Sequence, residues 1–169
     1  MRDTKHEIVH FWFEETAPHM RFQRSEDFED QIRDRFLVTY DMAREGLCES
    51  WAGDAQGCLA LCLLLDQFPR RLFYGTDRAY ESDERALLVA KQGVSRGFDQ
   101  ILAHEQRFYL YLPFEHSETA HDQKTSLALF TVMSDENPVA HMVAKQRFEV
   151  FERFGRFPER NAALGRDNT

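Results

Sequence analysis

Residues Leu59 to Leu65 read L-A-L-C-L-L-L, and the run then ends in D-Q-F-P-R-R. A segment that is apolar on every side has no face to offer water, so it belongs at the centre of a fold. Asp66 sits at its end. A carboxylate in that position must find partners inside the protein or at the floor of a cleft.

The rest of the chain reads as helices wrapped around this one. Thr4-Lys5-His6-Glu7 has the spacing of a capping box, and Ile8, Val9, Phe11, Trp12 and Phe13 follow it. Pro18 marks the end of this first helix, which the pattern carries to about Glu15. Ser25 begins a second, with acids at 26, 27 and 29 beside the positive end of its dipole. Phe28, Ile32, Phe36, Tyr40 and Ala43 recur at helical spacing, and Gly46 is the stop. The buried helix is expected to end near Gln67, because Pro69 lacks an N–H.

Thr76 is the expected cap of a fourth helix, which Gly93 and Gly97 close. A fifth is expected from His104 to Leu112, stopped by Pro113. Ser117 or a neighbour starts a sixth that runs to about Met133. Asn137-Pro138 starts a seventh, with Asn at the cap and Pro in the first turn, and Gly155 stops it. A short turn follows around Pro158 to Leu164. No stretch alternates apolar and polar residues between hairpin turns. The expectation is one all-α domain over residues 1–169, about seven helices packed as antiparallel hairpins.

Composition bounds the function. With 43% hydrophobic and 30% charged residues among 169, the chain is globular rather than disordered. A formal net charge of −8 disfavours nucleic acid and anionic membranes as partners. The longest apolar run falls far short of the ~20 residues a membrane helix needs. Three cysteines, an odd and small number, fit a reducing cytoplasmic setting better than a disulfide scaffold. The acidity is uneven: Val143 to Arg166 carries a local +3, an excess that suits either an ion network or an anion site.

Three aromatic-proline corners stand beside clustered charge: Asp66-Gln67-Phe68-Pro69-Arg70, Tyr111 to Glu118, and Arg153 to Asn161. If the corners converge, Asp66, Glu115 and Glu118 meet Arg70, Arg107, Arg153, Arg156 and Arg160, with Asp66 paired to Arg107 and to Arg153 or Arg156. Such a meeting is either a structural network of Arg–carboxylate pairs or a binding pocket for a peptide terminus or small anion. In the pocket reading Arg70, Arg107, Arg153, Arg156 and Arg160 hold the anion. Gln67 and Asn161 orient it, and Asp66 and Glu115 fix the arginines.

A hydrolase reading uses His116 as base, oriented by Glu118 or Asp66. Ser117 is adjacent to His116 in sequence, so a helix cap suits it better than a nucleophile's role. Cys58 and Cys62 read as small core residues rather than metal ligands, and no metal or cofactor is implied. The Arg and Phe of the last helix read as a core face with arginines at its edge, not as a platform for single-stranded nucleic acid.

The segments I8-V-H-F-W-F13, L59-A-L-C-L-L-L-D-Q-F-P-R70, R107-F-Y-L-Y-L-P-F-E-H-S-E118 and R153-F-G-R-F-P-E-R-N-A-A-L-G-R166 resemble a bacterial family catalogued as domain of unknown function nine-two-four. The resemblance spans almost the whole chain. It implies an all-α, tetratricopeptide-like fold of helical hairpins, and it implies no activity. Where that family often has a Trp-Phe pair after the first helix, this chain has Arg21-Phe22.

Overall fold

A computed structural model describes residues 3–169, and among them there is helix and no strand. The first helix, α1 (Thr4–His10), opens into a π turn over Phe11–Glu15. Its cap position is Asp3, and no side chain caps it, so the Thr4 capping box is not formed. Helix α2 (Glu26–Arg44) starts where Ser25 accepts the Phe28 N–H, as its acidic first turn suggests. Gly46 follows it with φ +87°, a left-handed conformation that glycine adopts without a Cβ clash.

The buried run forms α3 (Ala55–Cys62), capped by Asp54 through the Gly57 N–H. It does not stop before Pro69. It widens into a π turn over Leu63–Gln67 and continues as α4 (Phe68–Leu72). The wider turn shifts the hydrogen-bond register, and Pro69 falls in the first turn of α4, where its missing N–H costs little. The disturbed carbonyls have side-chain donors: Ser82 Oγ donates to Leu65 O at 2.6 Å and Arg70 Nη1 to Asp66 O at 2.8 Å.

Thr76 precedes a short 3-10 turn, and α5 (Asp83–Ser95) begins later, after Ser82. Pro113 likewise does not end α6 (His104–His116), which runs one further turn. The last carbonyls of that helix are held from outside. Gln123 Nε2 donates to Glu115 O and Ser117 O at 2.8 and 2.6 Å, and Arg160 Nη2 donates to His116 O at 2.9 Å. With its orphan acceptors satisfied, the end of α6 can sit inside the protein. Thr119, not Ser117, caps α7 (Ala120–Val132). Asn137 caps α8 (Pro138–Phe154), and Gly155 stops it at φ +67°. If α3 and α4 are counted as one interrupted rod, the described residues form seven rods.

Residues Cys58 to Leu65 are 0–2% exposed, as the uninterrupted apolar run requires. They pack beside α1, α5 and α6. Helices α5, α6, α7 and α8 each lie against the next, over short connections. Phe68, at the start of α4, meets Phe11, Trp12 and Phe36 with ring centroids 5.4–6.4 Å apart. Burial of each such ring contributes about 2–3 kcal/mol, and the edge contacts add to that. Among the described residues no helix is long and apolar enough to cross a membrane.

Candidate functional site

The π turn and the extra turn of α6 have one joint consequence. They bring Asp66 to the end of α6, where its Oδ1 lies 2.7 Å from Nδ1 of His116. Asp66 is 1% exposed. Burial alone would raise its pKa, but Arg70 and His116 together outweigh that and hold it well below the usual carboxylate range. An ionised carboxylate only accepts, so His116 donates from Nδ1 and keeps its lone pair on Nε2. Burial, followed by the nearby charge of Arg70, lowers the His116 pKa, so the ring is neutral at pH 7. Among the described residues, nothing hydrogen-bonds its Nε2. Gln67 Nε2 closes the second oxygen of Asp66 at 2.7 Å.

The arginines at this junction are shared by one acid that the sequence did not single out. Arg70 grips Asp83 with both terminal nitrogens, at 2.7 and 2.9 Å. Arg160 reaches the same carboxylate at 3.5 Å. Both guanidiniums lie over the ring of Tyr80, 5.4 and 4.8 Å from its centroid. Asp66 itself pairs with Arg70, at 3.3 Å, and with His116. The expected partners Arg107, Arg153 and Arg156 are elsewhere. Arg107 donates to Asp99 O, Arg153 is exposed against Phe154, and Arg156 makes no hydrogen bond or ion pair among the described residues.

Beside the junction is a cavity of about 740 Å³. Arg21, Arg24, Arg70, Arg71, Arg147 and Arg160 line it, against three glutamates, Glu29, Glu115 and Glu159. Four of the arginines have firm partners: Arg21 meets Glu105 and three carbonyls, Arg24 meets Glu29, Arg70 meets Asp83, and Arg147 meets Glu159. The other two are held by backbone carbonyls and have no close carboxylate of their own among the described residues. Arg71 has a backbone carbonyl, that of Gln23, and no carboxylate within 4 Å among the described residues. Arg160 shares Asp83 at the longer distance. Burial lowers the pKa of both, and for Arg160 the repulsion of Arg70 and Arg147 adds to it. The cavity wall therefore carries positive charge that protein carboxylates do not neutralise.

Glu115 belongs to the same wall. It is 5% exposed and its carboxyl has no hydrogen-bond partner among the described residues. Burial pushes its pKa up to about 7, Asp66 adding to the rise while Arg147 and Arg70 oppose it. At neutral pH it is therefore in part a proton donor.

Two further residues of the anticipated site have structural partners. Glu118 accepts the Phe157 N–H at 2.6 Å and pairs with Arg166 through both oxygens, at 2.7 and 3.1 Å. It lines a second cavity of about 580 Å³, which shares Tyr80, His116 and Arg160 with the first. Asn161 is buried, and its Nδ2 donates to Thr169 Oγ1 at 3.3 Å. Of the residues singled out in sequence, the structure thus gathers Asp66, Gln67, Arg70, Glu115, His116 and Arg160. It adds Arg71, Arg147, Tyr80 and Asp83. Arg71 had a signal in the Arg70-Arg71 pair. Arg147 had none, since only packing puts its guanidinium 3.6 Å above the ring of Phe157. Arg21-Phe22, the departure noted above, lies in the cavity wall.

Known proteins place the chain. The protein of unknown function ATU0120 from Agrobacterium tumefaciens, known from a solved structure, is similar to it, with 34% identity and a TM-score of 0.91. That likeness covers 98% of this chain and 92% of the other. No curated protein matches. A family model described as "Bacterial protein of unknown function (DUF924)" matches residues 8–169, and the chain belongs to that family.

Proposed function

We propose that the chain is a binding protein for a small organic anion, taken up in the cavity beside Asp66 and His116. The observation that carries this is the pair of under-neutralised cations, Arg71 and Arg160, in a wall where the other arginines are already paired. A carboxylate or phosphate between them completes charge that the protein leaves open. A volume of about 740 Å³ is that of a metabolite site, and a small anion fits it better than a peptide segment. In this reading the neighbour-on-neighbour packing of α5 to α8 is the tetratricopeptide-like array, and the Asp66–Arg70–Asp83–Arg160 network is its rigid floor. Three buried free thiols support a reducing, cytoplasmic setting for the same protein.

The test is thermal stabilisation by phosphate and by small mono- and dicarboxylates at fixed ionic strength. Arg71→Ala removes the ligand-induced shift and leaves the unliganded melt within a few degrees of wild type. A large loss of unliganded stability, with any ligand shift retained, would make the arginine a structural bolt instead.

A further inference from the structure

The cavity wall contains more than an anion site needs. A binding pocket has no use for a neutral imidazole held by a buried carboxylate, nor for a buried, unpartnered carboxyl beside it. Among its described lining residues there is no serine, threonine or cysteine, and Glu29 and Glu159 are tied to Arg24 and Arg147, so His116 is the lining nucleophile that a neighbouring carboxylate already orients.

We propose that this cavity hydrolyses phosphate monoesters, with Nε2 of His116 as the nucleophile and Glu115 as the proton donor to the leaving group. The inference rests on the anion-binding reading and names the substrate class and chemistry of that same site. Asp66 is a positioning residue: its Oδ1, 2.7 Å from Nδ1, fixes the tautomer that leaves the Nε2 lone pair free. Arg71, Arg147 and Arg160 face a group with three oxygens to stabilise, and arginine forks suit phosphoryl oxygens. Glu115 and His116 both line this cavity, at the end of α6. Leu112 and Val143 give the cavity an apolar side for an organic leaving group.

In the first step the Nε2 lone pair attacks phosphorus and the P–O bond to the alcohol breaks. The departing oxygen takes the proton of Glu115, which becomes a carboxylate. The phosphorylated imidazole keeps its Nδ1 proton against Asp66. In the second step Glu115 removes a proton from water, whose oxygen attacks phosphorus. The P–N bond breaks, its electron pair returns to Nε2, and inorganic phosphate leaves. No other reactant is needed.

The experiment has two arms on the full chain. In the first, inorganic phosphate is titrated and thermal stabilisation is read for wild type, His116→Asn and Glu115→Gln. All three are expected to respond, because the arginines are intact. In the second, turnover of para-nitrophenyl phosphate and a panel of phosphate monoesters is measured. Protein quenched in alkali, where phosphohistidine survives, is analysed by mass spectrometry. Wild type should turn over and carry one phosphoryl group on His116. His116→Asn should lose at least about a thousandfold in kcat/KM and carry none. Glu115→Gln should lose about a hundredfold or more, least with leaving groups of low pKa.

Phosphate stabilisation without turnover or a trapped phosphoryl group overturns the catalytic inference and leaves the binding reading standing. No stabilisation by phosphate overturns the phosphate-monoester inference, and the binding reading falls with it when the mono- and dicarboxylates fail to stabilise as well. Turnover that His116→Asn leaves intact, or turnover with no phosphohistidine in the quenched wild type, overturns the nucleophilic step.

Discussion

Asp83 ties together an arginine of α4 and one that follows α8: Arg70 grips it at 2.7 and 2.9 Å, and Arg160 reaches it at 3.5 Å. One carboxylate serves both cations, so its loss leaves Arg160 without a carboxylate and Arg70 with Asp66 alone, at 3.3 Å. Asp83→Ala is expected to destabilise the fold by about 3 kcal/mol, the scale for breaking a buried pair. For a chain of this length that is a drop of about 6–12 °C in Tm. In an Arg70→Met background the same change should cost much less, because one of the stranded charges is already gone. Equal costs in the two backgrounds would mean that the network carries no coupling.

Glu115 gives the protein a pH dependence of definite sign. Folded, its carboxyl holds a proton up to about pH 7; in the unfolded chain it releases it near its ordinary value of 4.5. The folded state therefore binds more protons between those values, and stability falls as pH rises through that window. The two pKa values differ enough to make the loss about 3 kcal/mol above pH 7. Glu115→Gln stays neutral and escapes it. The lowered pKa values of Asp66 and His116 act in the opposite sense, with their stability lost as pH falls, so the quantity to read is variant minus wild type. Urea unfolding at pH 5 and pH 8 should show the variant gaining on wild type as pH rises. A constant difference would mean that Glu115 ionises normally.

How much of this could be read in the sequence depended on how local its cause is. The buried helix was legible because Leu59 to Leu65 have no polar side to expose. The stops at Gly46 and Gly155 were legible because a left-handed residue is nearly always glycine. The two prolines misled. Pro69 is passed over because Ser82 and Arg70 donate to carbonyls around the π turn, and α6 runs beyond Pro113 to an end whose carbonyls Gln123 and Arg160 hold. No local pattern announces Arg160, 44 residues from the carbonyl it holds, or Ser82, 17 residues from Leu65. Asp83 was hidden differently: on a helix capped at Thr76 it falls past the first turn among Glu81, Glu84 and Arg85, where one more charge reads as a solvated face. Convergence of the corners was read as a condition, and the Asp66–His116 pair is the one the hydrolase reading named; at Asp66, Arg70 stands where Arg107 and Arg153 or Arg156 were expected.

Gly57 is the position in α3 where a single methyl group should be intolerable. A Cβ there would stand 1.8 Å from the carbonyl oxygen of Trp51 and 2.6 Å from its carbon, both backbone atoms that cannot rotate away. Close approach at this point lets α3 pack against the 3-10 turn of Glu49–Gly53. Gly57→Ala is expected to cost more than about 3 kcal/mol or to abolish soluble expression. Gly53→Ala is the control. A Cβ at Gly53 meets nothing within 4 Å, so that variant should melt within a few degrees of wild type. Similar melts for the two variants would show that α3 and the turn can separate at little cost.

Glu118 is a latch for the last corner, and its loss should be felt in the chain's end rather than in the cavity. Its Oε1 accepts the Phe157 N–H, and both oxygens hold Arg166, which also donates to Phe157 O at 3.1 Å. The carboxyl is about a quarter exposed, so solvent weakens these ion pairs, while the bond to the Phe157 N–H stays inside. Glu118→Gln keeps the shape and one acceptor but loses the charge opposite Arg166, and a loss of about 1 kcal/mol follows. Glu118→Ala also leaves the Phe157 N–H without its acceptor, which raises the loss to about 2–3 kcal/mol. Limited proteolysis should then cut sooner between residues 155 and 169, in proportion to the population that opens. Phosphate-induced stabilisation should be unchanged in Glu118→Gln, because the carboxylate faces the second cavity and not the arginine-lined one. Loss of that response, with cleavage near the C-terminus unaltered, would move Glu118 from the latch into the binding site.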